Sequence, residues 1–165
     1  MSKRLFYSLL LPMIFFQTQA ALAQPGQATK EHARQPQFLN PPGLSKPNGY
    51  THVVIIQPGR LVYVSGQVAL NAAGEVVGND DLRAQVTQVM ENLKTALAAA
   101  GASLQDVVKL NYYVVNLNPD KLSVIREVRN KYISAEQPPA STLVGVTALA
   151  RQGFLIEVEV VAAPK

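Results

Sequence analysis

Between Leu82 and Leu97 the apolar residues Leu82, Val86, Val89, Met90, Leu93 and Leu97 return at three- and four-residue steps, which gathers them on one face of a helix. Asp80 and Asp81 stand before this run as N-cap and first-turn residues, and Gly101 follows as its stop. Elsewhere the period is two. In Val107 to Val115, Val108, Leu110, Tyr112 and Val114 fall on one side, and Lys109, Asn111, Tyr113 and Val115 on the other. Ile156, Val158 and Val160 alternate in the same way with Glu157 and Glu159 inside a predicted strand from Phe154 to Val161. Two β-branched runs, Val53 to Ile56 and Leu61 to Val64, flank Pro58-Gly59 and predict a hairpin. A short segment, Gln67 to Leu70, ends at the turn Asn71-Ala72-Ala73-Gly74. A second helix is expected from Pro119 or Asp120 to about Ile133, and Pro138-Pro139 separates it from a strand over Thr142 to Thr147.

The resulting order is strand, strand, short strand, helix, strand, helix, strand, strand. It predicts an α+β domain in which both helices pack on one face of a mixed sheet. No helix is then left for the other face. Its apolar residues would be covered by further copies of the chain.

The N-terminal pattern differs in kind. Lys3 and Arg4 precede an apolar run from Leu5 to Phe16, about a dozen residues, and Ala21-Leu22-Ala23 has small-x-small spacing. Residues 1–23 are therefore read as a signal peptide, the run being shorter than the roughly 20 apolar residues of a spanning helix. The mature chain would begin near Gln24 and be periplasmic or secreted. Residues 24–49, rich in Pro and Gly, read as an arm to which neither helix nor strand is assigned, and 50–165 as the folded domain.

Without residues 1–23, thirteen basic residues face eleven acidic ones, a formal +2. That charge is too small and scattered to indicate a nucleic acid or a membrane surface as partner. There is no cysteine, which excludes disulfides and thiolate chemistry. Two histidines, His32 and His52, are too few for a usual metal site. No phosphate-binding glycine motif or nucleophile elbow stands in the required context.

On residue type alone, Glu157 and Glu159 are a solvated strand face. Ser65-Gly66-Gln67 is a strand end where glycine permits an unusual backbone, and Tyr50 is an amphipathic packing residue. Arg126, Arg129 and Arg151 read as solvated charges, with the alternative that one of them supplies a positive group to a cleft. Lys109 reads as a snorkelling lysine or as a cleft residue beside Asn111 and Tyr113.

Taken in order and spacing, Ser65-Gly66-Gln67, Pro138-Pro139-Ala140-Ser141 and Ile156-Glu157-Val158-Glu159 resemble the RidA (YjgF) family of small trimeric imine and enamine deaminases, from about Phe38 to Ala163. The resemblance implies a chorismate-mutase-like homotrimer with clefts between subunits and no cofactor. It makes Glu157 the catalytic carboxylate that orients or activates water. Ser65, Gln67, Ser141, Leu143 and a covering Tyr50 become substrate-binding residues.

One position departs from the family pattern. Deaminating members carry an arginine where this chain has Ser141, and often a cysteine where it has Leu143. A serine hydroxyl is one neutral donor in place of a bidentate fork, a difference of about 1.5–3 kcal/mol in carboxylate binding. The expected cleft is less polar, and its ligand need not carry a carboxylate. Two functions stay open: hydrolysis of imines or enamines to a carbonyl compound and ammonia, and a non-enzymatic small-molecule-binding or interaction module. A ribonuclease reading, also attributed to the family, sits poorly with the modest charge.

Overall fold

The computed structural model describes residues 35–57 and 59–165. The proposed signal peptide and the first part of the arm lie outside the described residues. Strands β1 (Gln37–Leu39) and β2 (Val53–Ile55) form a small antiparallel ribbon. The main sheet contains β3 (Val62–Gln67), β4 (Val107–Val115), β5 (Ala140–Val146) and β6 (Ile156–Ala162) in the order β3-β6-β4-β5. Its β4–β5 pair is parallel and its other pairs are antiparallel. Helix α1 (Leu82–Ala99) precedes β4. Helix α2 (Pro119–Arg129) makes the crossover that a parallel β4–β5 pair requires.

Helix α1 forms where its apolar spacing predicts. Asp81 caps it by accepting from the Ala84 amide at 3.1 Å. Val86, Val89, Met90, Leu93 and Leu97 are fully buried against Ile156, Val158 and Val160 of β6 and Leu110, Tyr112 and Val114 of β4. Gln85 is fully buried too. Its amide donates to the carbonyls of Gly78 (3.0 Å) and Gly153 (2.7 Å) and its oxygen accepts from the Leu155 amide (2.9 Å), tying the loop before α1 to the entry of β6. α2 begins at Pro119 after the Asn118 cap, and ends four residues before the predicted Ile133.

Both helices lie on one face of the sheet, as the alternation requires. On the other, Tyr63 is 75% exposed and Val144 39% exposed.

The expected hairpin does not form. β2 pairs with β1, through Gln37↔Ile55 and Leu39↔Val53, while β3 pairs with β6 through Val62↔Ala162 and Val64↔Val160. Alternation identifies strands but carries no information on partners. Val62 and Val64 gain burial against the core beside β6, a contact that pairing with β2 alone would not supply. β1 lies in the arm to which no strand was assigned. The predicted segment Gln67 to Leu70 is not a separate strand either: Gln67 ends β3, and Leu70 forms a single bridge to Val76. There Asn71 Oδ1 accepts from the Ala73 and Glu75 amides, so a side chain closes the turn that a ladder would otherwise close.

Candidate functional site

Glu157 and Glu159 project from β6 onto the face without helices, opposite Tyr113 and Asn111 of β4 in register. Their surroundings differ. Glu159 accepts from Asn111 Nδ2 at 2.7 Å and from the Tyr113 hydroxyl at 3.1 Å. That hydrogen bond, and then the carboxylate charge itself, pushes the Tyr113 phenol above its ordinary range. Glu157 makes no such bond among the described residues, and its carboxylate lies over Gly66.

The sheet accommodates this approach with a bulge. Val64 pairs with Val160 and Gln67 with Val158, so Ser65 and Gly66 together stand opposite Glu159. A Cβ on Gly66 would come within 2.7 Å of the Glu157 carboxyl carbon and 2.9 Å of its Cγ. Only glycine leaves that space. The Gln67 side chain folds back to donate to the Ser65 carbonyl at 3.1 Å, holding the bulge closed. Ser65, Lys109, Asn111 and Glu159 line an open cavity of about 330 Å³ on this face. Lys109 Nζ donates to Thr142 Oγ1 at 2.8 Å within the same surface.

Tyr50, Ser141 and Leu143 lie elsewhere. Ser141 is in register with Leu110 and Leu143 with Tyr112, which sets both on the helix side of the sheet. With Tyr50, Tyr112, Arg126 and Arg129 they line a second cavity, of about 350 Å³, between β5 and α2. The segment that carries Tyr50 is pinned on both sides. Arg129 Nη1 donates to the Gly49 carbonyl at 2.6 Å, and buried Thr51 donates its amide to the Pro139 carbonyl (3.2 Å) and its hydroxyl to that of Pro138. The Tyr50 ring meets His52 edge-on at 5.2 Å.

One subunit thus brings Glu157 and Ser65 together, and separately Tyr50, Ser141 and Leu143. It does not unite the two groups, because the sheet stands between them. One feature escaped the sequence reading: Asn111 and Tyr113 engage Glu159, which the alternation could have suggested by placing all three on one side. Arg126 and Arg129, read as solvated charges with a cleft's positive group as the alternative, both line a cavity.

The model of the family described as Endoribonuclease L-PSP matches residues 43–164. The chain belongs to the RidA (YjgF) family. Over 104 residues it is 32% identical to the 2-iminobutanoate/2-iminopropanoate deaminase of Dermatophagoides farinae, covering 63% of this chain and 78% of that protein. A Rid-family protein of unknown function, YyfB from Yersinia pestis, superposes with TM-score 0.72 at 42% identity over 78% of this chain and 98% of its own. RidA from the Antarctic bacterium Psychrobacter does so with TM-score 0.57 at 34% identity, over 66% and 85%. The two helices on a mixed sheet are accordingly the chorismate-mutase-like fold of RidA proteins.

Proposed function

We propose that this RidA-family protein is exported, closes into a homotrimer, and hydrolyses small imines or enamines in clefts between subunits. The contrast between its two β6 carboxylates carries the reading. Glu159 is occupied by Asn111 and Tyr113, whereas Glu157 lies over a glycine bulge beside Ser65 with no hydrogen bond to its oxygens among the described residues. An uncommitted, positioned carboxylate suits a general base. Water adds to the C=N carbon as Glu157 takes its proton. That proton passes to nitrogen, giving an aminocarbinol; Glu157 then carries the hydroxyl proton to the same nitrogen, the C–N bond breaks as the C=O bond forms, and ammonia leaves a carbonyl product. Ser65 and Ser141 position the substrate and Tyr50 covers it. The deaminase name of the mite relative supports the same reaction class.

Assembly follows from the uncovered sheet face with Tyr63 and Val144. Neighbouring copies would bury that face and bring the Glu157 group of one subunit against the Tyr50 and Ser141 group of the next. Export rests on Lys3-Arg4, the apolar run and Ala21-Leu22-Ala23. N-terminal sequencing of the protein from fractionated cells should find a chain beginning near Gln24 outside the cytoplasm, and a full-length cytosolic product would refute this.

Release of ammonia from 2-iminobutanoate generated in situ, and from an imine without a carboxylate, tests the activity. Glu157→Gln should lower the rate by about 10²–10⁴-fold. An unchanged rate would remove Glu157 from the chemistry. No rate above buffer on either substrate would favour the second reading, a binding module on the same trimer, which Ser141 in place of the family's arginine already supports.

A further inference from the structure

We infer that Glu159 is a positioning residue for Glu157: it holds the Tyr113 hydroxyl as its own donor, and so keeps that hydroxyl off the carboxylate that is to accept a proton from water. The inference rests on the reading of Glu157 as the base. It adds a second carboxylate whose part is to leave the first one free.

Strand β6 lies between β3 and β4, and its two carboxylates lean to opposite sides. Glu157 leans toward β3, where its carboxyl carbon would stand 2.7 Å from a Cβ on Gly66. Glu159 leans toward β4, where its Oε1 accepts from both Asn111 Nδ2 (2.7 Å) and the Tyr113 hydroxyl (3.1 Å). The Asn111 bond runs straight across, since Asn111 and Glu159 are partners in register. The Tyr113 bond does not. Tyr113 is in register with Glu157, and directly opposed residues on one face are closer than diagonal ones, about 4.5–5.5 Å against 7–8 Å. The phenol thus forgoes its nearer neighbour for the diagonal one.

The charges on this face agree with that choice. The hydrogen bond to Glu159 and then that carboxylate's charge raise the Tyr113 phenol above its ordinary range; desolvation and the charge of Glu157 add in the same direction. The phenol therefore senses both carboxylates and stays a neutral donor. No cation competes for either: β3 and β5 contain no charged residue, and Lys109 of β4 donates to Thr142 Oγ1 at 2.8 Å. Without the Glu159 acceptor, the carboxylate nearest to the hydroxyl in register is Glu157. A base that already accepts a phenol hydrogen bond is a poorer one, because the bond favours its charged form and is given up as the proton arrives.

The test measures ammonia release from 2-iminobutanoate generated in situ, for variants that sediment as the wild type does. Glu159→Ala should lose about ten- to a hundredfold in rate, and Tyr113→Phe should stay close to wild type. Adding Tyr113→Phe to Glu159→Ala should restore most of the loss. Glu159→Gln keeps an acceptor for both donors and should keep the rate; Glu159→Met, closer in volume, replaces the alanine variant if that chain does not fold. A crystal structure of Glu159→Ala should show the Tyr113 hydroxyl within hydrogen-bond distance of Glu157, and the phenol should still titrate above its ordinary range. A cluster that merely stabilises the sheet gives the opposite pattern, a double variant slower than either single one and a phenol turned to solvent. That pattern, or a loss in Glu159→Gln equal to that in Glu159→Ala, would overturn the inference. If the wild type turns over no imine, a hydroxyl found on Glu157 in Glu159→Ala keeps the positioning and removes the hydrolase reading, whereas normal turnover without rescue removes the positioning alone.

Discussion

Tyr63→Asp is expected to convert the proposed trimer into a monomer at micromolar concentration. In one subunit the Tyr63 ring is 75% exposed, on the face of β3 that meets Val161 of β6 in register. A charge placed there costs an isolated chain little, within about 0.5 kcal/mol for an ordinary surface site. In the proposed ring the same position would be buried against a neighbour, where an unpaired carboxylate costs several kcal/mol per interface. Sedimentation should therefore lose the three-chain species while circular dichroism keeps the subunit's helix and strand content. A wild-type chain that sediments as a monomer would refute the trimer. A variant that stays trimeric would put the interface on another surface.

Gly66→Ala should lower the proposed hydrolytic rate about 10²-fold, because the new methyl occupies the space of the Glu157 carboxylate and would displace it from its proposed catalytic position. Overpacking should also lower stability, by about 1–3 kcal/mol. The two effects separate in a double variant. Adding Glu157→Ala removes the clash, so the double variant should recover most of the stability lost by Gly66→Ala and none of the activity. Normal turnover by Gly66→Ala would mean that the bulge does not position the catalytic group.

Legibility in the sequence followed the range of the interactions. Helix α1 and strand β4 appear within a residue or so of their predicted bounds, because their spacing reflects burial of Val86 to Leu97 and of Leu110 to Val114 on faces set by local geometry. The partners of β2 and β3 were not legible. Pro58-Gly59 marks a turn in either topology, and what decides between them is the distant β6. The site divided in the same way. Glu157, Ser65 and the glycine between Ser65 and Gln67 were readable from motif order, and the register places Glu157 and Ser65 on one face. That Ser141 sits behind the sheet follows from its register with Leu110 across the parallel β4–β5 pair, and Tyr50 joins it through the bonds of Gly49 to Arg129 and of Thr51 to Pro139, contacts between residues distant in sequence. The arginines of the second cavity look like any basic helix end until the loop at Gly49 is seen to fold over Arg129.

The separation of the two residue groups by the sheet has a genetic consequence. If each cleft joins the front of one subunit to the back of the next around a closed ring, a defect at Glu157 and a defect at Tyr50 or Ser141 reside in different halves of a shared site. Rings mixed from two such inactive proteins would always contain one junction at which both contributing halves are sound. Co-expression of two dead alleles would then restore partial function, whereas either allele alone, at any dose, would not.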